Sequence, residues 1–281
     1  MGNKPRTDSL GDRMKRYEAT TRFLLPRRTY TILRVDGRAF HTWTRGLEKP
    51  YDLNFMYCMD SAAIALCEEI AGSRFAYVQS DEISVLAVDF LDIKTEPWFD
   101  GNVQKWASVG ASVATMAFNA AVTAMPAAAE DVNVTKIAKK SPNATFDARV
   151  FTIPDLVEVE NYMVWRQQDA ERNSVSMLAQ AHASHKQLHG KNRAAQHEVI
   201  HAAGDNWATH PVSFKHGRVV RRVRMAQFPE DEADIVKYVE VGNWFVDHET
   251  PVFTKDRAYI RGLVPVIWDN DLLVRKASSG E

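Results

Sequence analysis

The sequence is poor in cysteine and carries almost no net charge. Its 281 residues include two cysteines, Cys58 and Cys67, nine positions apart in a segment with helical periodicity. Nine residues of helix span roughly 13 Å, which is too far for a disulfide between them. The formal net charge of −1 excludes a global attraction to nucleic acid, so such binding would need a local basic patch.

The sequence also has no signal sequence and no uninterrupted apolar run of membrane length. The most apolar stretch, residues 109–129, contains several polar residues and a proline, and is therefore interpreted as a helix of the protein core. Reduced thiols and the missing signal sequence predict a cytoplasmic protein that does not contact a membrane. The composition, 45% hydrophobic and 25% charged, is typical of a soluble globular protein.

What the sequence does contain is a succession of short apolar segments and longer helical patterns. Their order, β-α-β-β-α-β, predicts an α+β fold with a ferredoxin-like palm, in which helices cover an antiparallel sheet. We expect a palm-like catalytic core at 1–153 and a helical and β-hairpin extension packed on it at 154–281. Asn54 is expected to cap the first helix of the palm, and residues 126–146 to form a loop. The predicted strands are 29–35, 75–78, 83–89 and 148–153, and the helices of the palm are 54–71 and 103–122.

Acidic residues stand at the ends of two predicted strands. Asp36 and Gly37 end the first strand, and Asp81 and Glu82 lie in the turn before the third. Because the first and third strands of a ferredoxin-like sheet are neighbours, Asp36 is expected to approach Asp81. Two carboxylates and a backbone carbonyl beside a glycine form the hard oxygen site that Mg²⁺ prefers, and two such ions suit nucleotidyl transfer. The alternative is structural, namely an Asp-Gly turn and a hairpin loop.

Six sequence blocks occur in a fixed order around these acids. Together they resemble the tRNA-His guanylyltransferase family, over roughly residues 10–225. This family adds nucleotides to the 5′ end of tRNA, in the reverse of the usual polymerase direction. The resemblance implies a palm related to those of conventional polymerases and nucleotide cyclases. The blocks are RVDGRAFH, KPYD, QSDE, QKWASVGAS, FDARVF and WRQQDAERNSVSML.

The resemblance implies roles for particular residues. Asp36, the carbonyl of Gly37 and Asp81 would hold two Mg²⁺ ions per active site, and Glu82 would be a further catalytic residue beside them. The basic residues of the set would contact phosphates, because a triphosphate carries more negative charge than two metal ions offset. The implied nucleotide-binding residues are Arg34, Asp36, Gly37, Arg38, Ala39, Phe40, His41, Lys49, Ser80, Asp81 and Lys105.

The reaction that the resemblance implies has two phosphoryl-group displacements. ATP or GTP first activates the 5′ phosphate of the tRNA, unless the tRNA already carries a triphosphate. The 3′-hydroxyl of an incoming nucleotide then attacks the activated phosphate. Both steps need charge neutralisation and in-line positioning.

The chain departs from the eukaryotic type of the family at residues 171–177. That type has His-Ile-Asn-Asn-Leu-Tyr-Asn there, whereas this chain has ERNSVSM, in which only Asn173 matches. The block is associated with the untemplated guanylate added to tRNA-His. The absence of this block resembles the bacterial and archaeal guanylyltransferase-like proteins. It therefore predicts templated repair of 5′ ends. Untemplated guanylylation of tRNA-His is the alternative.

A basic segment, residues 214–224, is the candidate tRNA surface. In FKHGRVVRRVR, alternate positions place three arginines on one strand face, together with a basic N-terminal arm. The alternative is a solvated strand face without a ligand. The resemblance further implies a homotetramer that binds tRNA, ATP, GTP and other nucleoside triphosphates. The candidate RNA contacts are Asn173, Lys215, Arg218, Arg222 and Arg224.

The segment HEVIH, residues 197–201, matches a zinc-peptidase motif. Its histidines would share one helix face, and Glu198 would be available as a general base. The expected third ligand position is Trp207 instead of a histidine. A zinc peptidase is therefore a remote alternative, and two histidines facing solvent or nucleic acid are preferred. A catalytically inactive RNA-binding module is a third class, disfavoured because the metal-site residues are present.

Overall fold

The computed structural model describes residues 9–91, 94–126, 132–227 and 237–265. The strands are β1 Tyr30–Gly37, β2 Ser73–Gln79, β3 Glu82–Val88, β4 Phe146–Ile153, β5 Arg218–Gln227 and β6 Lys237–Asp247. The helices are α1 Ser9–Ala19, α2 Phe40–Trp43, α3 Leu53–Glu69, α4 Val103–Ala124, α5 Val132–Ala138, α6 Leu156–His182, α7 His185–Leu188, α8 Arg193–Ala202, α9 Val212–His216 and α10 Arg257–Leu263.

The strands form a six-stranded sheet in the order β4-β1-β3-β2-β5-β6, and each strand is antiparallel to its neighbours. The predicted adjacency of the first and third strands is confirmed, because β1 pairs with β3 from Tyr30 opposite Val88 to Asp36 opposite Glu82. Helices pack on this sheet, so the fold is mixed α/β, as expected. β5 and β6 come from the part of the chain after residue 153, and β5 extends the same sheet by pairing with β2. The division at residue 153 stays a prediction.

The core lies on both faces of the sheet. α3 and α4 cover one face, where Leu33 and Leu66 are fully buried. α6 and α10 cover the other, where Ile32 and Met163 are fully buried. Every residue of β3 is buried, which explains its nearly continuous apolar sequence.

Among the described residues, α4 is long and apolar enough to cross a membrane. A helix in the core of a soluble protein can have the same length and composition. Residues at four-residue intervals along α4 face inward, from Trp106 to Val122. Gly110 sits where a Cβ atom would be 2.5 Å from the side chain of Leu33. Glycine therefore lets α4 approach the sheet closely at this point.

Two local expectations were wrong. α3 is capped by Asp52, not Asn54, because the carboxylate of Asp52 accepts hydrogen bonds from the amides of Asn54 and Phe55, both at 3.0 Å. The segment 126–146 contains α5, whose Ile137 is fully buried in the core. Burial of one apolar side chain against α3 and α4 orders a segment whose composition suggests a loop.

Candidate active site

The end of β1 meets the turn between β2 and β3. The amide of Gly37 donates a hydrogen bond of 3.0 Å to the carbonyl of Asp81, which joins the two strand ends. A Cβ atom on Gly37 would overlap the ring of Phe40, so glycine at this position lets the Phe40 ring pack against the end of β1. Ser80 has a left-handed φ of 46° and lies exposed in the turn. The predicted approach of Asp36 to the Asp81 turn therefore occurs in the structure.

The environment of Asp81 disfavours its negative charge. Burial is the largest cause of its raised pKa, and the Asp36 carboxylate raises that pKa further. A hydrogen bond from the hydroxyl of Ser80 lowers it by a smaller amount. Two close carboxylates in a partly desolvated site are suited to a divalent cation, which would remove their mutual repulsion.

The donor set fits a hard metal ion that keeps other ligands. Among the described residues, no group of three or more His, Cys, Asp or Glu side chains is placed to hold a metal. Asp36 and Asp81 would therefore need further oxygen atoms, which the Gly37 carbonyl, water and phosphate can supply. Mg²⁺ is usually bound in this way, by one or two carboxylates together with waters and substrate phosphates.

Glu82 has a different environment, although it follows Asp81 directly. Its carboxylate accepts hydrogen bonds of 2.8 and 3.1 Å from the guanidinium of Arg166, which is 4% exposed. The Nε atom of Arg34 lies 3.3 Å from the same carboxylate. Glu82 therefore belongs to a buried salt-bridge network that includes two arginines.

The register of the sheet places this network next to the aspartates. Asp36 and Glu82 are directly opposite each other in the β1–β3 pair, so their side chains share one sheet face. That face is the one that α6 covers, and α6 supplies Arg166. Arg34 also lies 3.6 Å from the Asp36 carboxylate, so it links the salt-bridge network to the aspartate pair.

Two cavities meet at the turn that carries Asp81. The larger has a volume of about 490 Å³ and the smaller about 410 Å³. Gln79, Ser80, Asp81 and Asn173 line both. The larger is lined by apolar, aromatic and polar side chains from the loop 44–52 and from α2, α3, α6 and α9, whereas most of the side chains that line the smaller are charged. The arrangement can hold two ligands on either side of one acidic turn.

The structure brings most of the predicted nucleotide-binding residues to these cavities. Arg38 and Ala39 are exposed and line neither, although both lie just beyond Gly37. Lys105 is also exposed and lies 5.2 Å from the ring of Phe99, in the first turn of α4. This chain alone therefore does not bring Lys105 to the site. The predicted residues that line a cavity are Arg34, Asp36, Phe40, His41, Lys49, Ser80 and Asp81.

The predicted basic strand face is only partly exposed. Arg218 is buried, with 2% exposure, and its guanidinium pairs with Asp60 of α3 at 2.6 Å. Arg218 is therefore not on the exposed strand face that a tRNA surface requires, because β5 lies inside the sheet and α3 packs against it. Arg222 lies over Trp244 at 4.5 Å.

The other candidate RNA contacts also differ from one another in their surroundings. Lys215 donates to the carbonyl of Ala208 at 2.6 Å. Asn173 is exposed and lines both cavities, so it is the candidate RNA contact nearest to the acidic turn. The side chain of Arg224 lies outside the described part of the structure, as do residues 1–8 of the N-terminal arm.

Some residues of the site were not assigned from sequence. Arg166 holds Glu82, and Trp165 lines the smaller cavity. In the larger cavity Tyr51 and Phe214 have ring centroids 4.8 Å apart. A signal for Arg166 exists in the sequence, because it is seven residues before Asn173 and hence on the same face of α6.

The histidines of HEVIH do not form a recognisable metal site. The ring of His197 packs on Trp207 with centroids 6.0 Å apart, and His201 is exposed. Residues 197–201 all lie in the described part of the chain, where no metal-binding group of three such side chains occurs. The motif therefore lacks a third protein ligand within that part.

Comparison with protein families decides the class of the protein. A family model described as tRNAHis guanylyltransferase matches residues 11–154, which is half of the chain. The chain belongs to the tRNAHis guanylyltransferase family. Members of this family are nucleotidyltransferases, so membership favours that interpretation over the zinc-peptidase one. The predicted family and enzyme class are confirmed.

Known members of the guanylyltransferase family agree with this assignment over most of the chain. A solved structure of a bacterial tRNA(His) guanylyltransferase-like protein in complex with ATP is 39% identical, with a TM-score of 0.76, and covers 92% of this chain and 100% of that one. A similar structure in complex with GTP is 37% identical, with a TM-score of 0.68, and covers 91% and 99%. The tRNA(His) guanylyltransferase of Schizosaccharomyces pombe is 28% identical and covers 73% of this chain and 77% of that one.

Proposed function

We propose that this protein adds nucleotides to the 5′ end of tRNA in the 3′–5′ direction, and that it selects each one by pairing with the opposite strand. The observation that carries the proposal is the acidic turn at Asp81, which lies between two cavities. A reaction that joins an activating nucleotide, an RNA end and an incoming nucleotide needs such adjoining spaces. The family membership and the ATP and GTP of the similar solved structures support it.

In this proposal Asp36, the carbonyl of Gly37 and Asp81 hold two Mg²⁺ ions. When bound, the ions neutralise phosphate oxygens and align the reacting groups. Arg34 and Lys49, which line the smaller and the larger cavity, contact the phosphates of the bound nucleotides. Glu82 acts by fixing Arg34 and Arg166 through its salt bridges.

The larger cavity is proposed to bind the activating nucleotide, ATP or GTP. Its volume of about 490 Å³ lies in the range of small-molecule sites. The rings of Tyr51 and Phe214 offer apolar contact to a base, and Ser80 is positioned to bond phosphate at the acidic turn.

The segment 171–177 supports templated selection. Ser174 and Val175 are buried, and the hydroxyl of Ser174 accepts a hydrogen bond of 2.9 Å from Trp207. Asn173 and Met177 are the other members of this segment that line the larger cavity, with Ser174. With so few polar groups available here, base pairing with the RNA is the proposed source of selectivity. Fixed addition of guanylate to tRNA-His is the competing function.

The experiment uses tRNAs that lack their first residue. The template base opposite the gap is changed in turn to each of the four bases, and relative kcat/KM is measured for the four nucleoside triphosphates. Nucleotide choice should follow the template base. Preference for GTP against every template base would establish the competing function. A tRNA with a complete acceptor stem serves as the control for addition that needs no gap.

We also propose that β1–β4, with α3 and α4, act as a polymerase-type palm, and that residues 154–281 form an extension that contacts the RNA. The order β4-β1-β3-β2 supports the palm. The protein is further proposed to act in the cytoplasm as a homotetramer. Light scattering of the purified protein tests the oligomeric state, and a monomer at micromolar concentration would contradict it.

A further inference from the structure

An aromatic side chain in the smaller cavity has no part in the chemistry described above. Trp165 lies on α6 and is 46% exposed, although Trp98 and Trp106 are buried in the core. It lines the smaller cavity together with Asp36 and Asp81. A large aromatic surface is thus exposed to solvent beside the two proposed metal ligands.

The indole of Trp165 is held in a fixed orientation. The guanidinium of Arg166 lies 3.6 Å from its ring centroid, and Arg166 is itself fixed by two hydrogen bonds to Glu82. The ring of Tyr162 packs at its edge, with centroids 5.8 Å apart and planes at 62°. The hydroxyl of Tyr162 is hydrogen-bonded to Ser84 of β3 at 2.9 Å. The buried network therefore supports an exposed ring.

The chemistry of the cavity limits which chemical groups can bind against the ring of Trp165. Carboxylates on its floor repel phosphate unless a cation is bound, so phosphate is directed to the metal side of the cavity. A planar, uncharged ring next to them suits a nucleobase, because every base has a π-face that stacks on an aromatic side chain. Asn173, which also lines this cavity, supplies an amide that can reach the edge of a base.

We propose that Trp165 is a stacking platform for a nucleobase in the smaller cavity. The base comes either from the incoming nucleotide or from the terminal residue of the RNA acceptor. This inference rests on the proposed function, because it assigns a base-binding residue to that reaction. Arg166 and Glu82 are then positioning residues, which hold the platform through the guanidinium that stacks beneath it.

The direct test is fluorescence of 2-aminopurine, which stacking on an indole quenches. One arm uses 2-aminopurine riboside triphosphate, and the other uses a 5′-truncated tRNA with 2-aminopurine as its terminal base. Both are titrated with wild type, Trp165→Ala, Trp165→Phe and Tyr57→Ala. Tyr57 is a matched control, because it is 58% exposed on α3 and lines neither cavity.

Quenching should be lost in Trp165→Ala and retained in Tyr57→Ala, in the arm whose base stacks. In that arm KM should rise roughly ten- to one-hundredfold, with partial recovery in Trp165→Phe. A substrate that lacks the base distinguishes lost stacking from a KM effect that arises only because Arg166 is loosened. If stacking is the cause, removing the base should raise the KM of wild type by a similar factor, and should raise the KM of Trp165→Ala little further.

Two outcomes would overturn the inference. If wild type adds nucleotides, and Trp165→Ala has the same quenching and the same KM in both arms, then there is no stacking platform at this position. If removing the base and replacing Trp165 with alanine raise KM by independent factors that multiply, Trp165 does not stack on the base and its role is structural. The failure of the proposed function looks different, because wild type then adds no nucleotide to any truncated tRNA, and this inference fails with it.

Discussion

Two neighbouring acids at the end of the sheet have opposite environments. Glu82 is buried and paired with Arg166 and Arg34 at 2.8 and 3.3 Å. Asp81 has a raised pKa, caused first by burial and then by the Asp36 carboxylate. One position along the chain separates a carboxylate whose charge is balanced by the protein from one whose charge is not.

The difference assigns separate tasks to the two regions. A buried carboxylate held by arginines is an integral part of the folded structure. Removing one partner leaves the other charge buried and uncompensated, at a large cost in desolvation free energy. The aspartate pair stabilises the fold little, because its charges repel each other and the Arg34–Asp36 ion pair is long, at 3.6 Å, but it leaves a site for a cation from outside. Stability and chemistry should therefore respond in opposite ways to substitutions in the two regions.

The largest expected effect is on activity at the aspartate pair. Asp36→Asn and Asp81→Asn should each lower kcat/KM for nucleotide addition by at least about 10³-fold, because each loses a charge that the metals need. Thermal unfolding should show a fold at least as stable as wild type. Asp100→Asn is the control, since it removes a carboxylate that is 68% exposed and lines neither cavity.

Near-normal addition by either asparagine variant at saturating Mg²⁺ would contradict the metal assignment. Loss of the fold in both variants would contradict the comparison itself, since the pair would then be structural.

The next effect is on stability at the salt-bridge network. Arg166→Met should lower the free energy of unfolding by about 3–5 kcal/mol, because Glu82 would remain buried without its main partner. Arg172→Met, on the same helix, breaks an ion pair of 2.8 Å with Asp169 whose arginine is 51% exposed, and should cost less than about 1 kcal/mol. Urea unfolding of the three proteins measures both values.

A double variant, Arg166→Met with Glu82→Gln, should recover part of the lost stability, because the uncompensated charge is gone. Equal losses of unfolding free energy in Arg166→Met and Arg172→Met would mean that burial of the Glu82 network contributes nothing to stability.

A smaller effect is the pH dependence of stability at Asp81. Its folded-state pKa is raised above the ordinary value of 3.8, so the stability it contributes is present below the unfolded pKa and is lost as pH rises through the folded pKa. Asp81→Asn should therefore unfold at a higher temperature than wild type at pH 7, and the difference should vanish near pH 3. Mg²⁺ should raise the Tm of wild type and leave that of the variant nearly unchanged. An identical Mg²⁺ shift in both proteins would exclude Asp81 as a ligand.

The sequence predicted the aspartate pair better than the network behind it. Strand order and two Asp-containing turns were enough to bring Asp36 near Asp81, because antiparallel pairing follows from the order of local elements. The Glu82–Arg166 contact joins residues 84 positions apart, and although Arg166 shares a helix face with Asn173, no local pattern pairs Arg166 with Glu82. Arg218 was misplaced for the same reason, since its partner, Asp60, is 158 positions away on α3.

The smallest expected effect concerns the histidines of HEVIH, which extend the comparison from oxygen ligands to nitrogen ligands. His197 packs against Trp207 and His201 is exposed, and neither lines a cavity with Asp36 or Asp81. Replacing both with alanine should cost about 1 kcal/mol of stability or less, from the lost ring contact. Nucleotide addition should change less than about twofold, which is about 0.4 kcal/mol in activation free energy, since neither histidine lines a cavity at the acidic turn. Zinc content by mass spectrometry and Mg²⁺-dependent addition are measured on the same preparation. A stoichiometric zinc in wild type that disappears in the double variant would show a second metal centre, built from nitrogen ligands and separate from the aspartate pair.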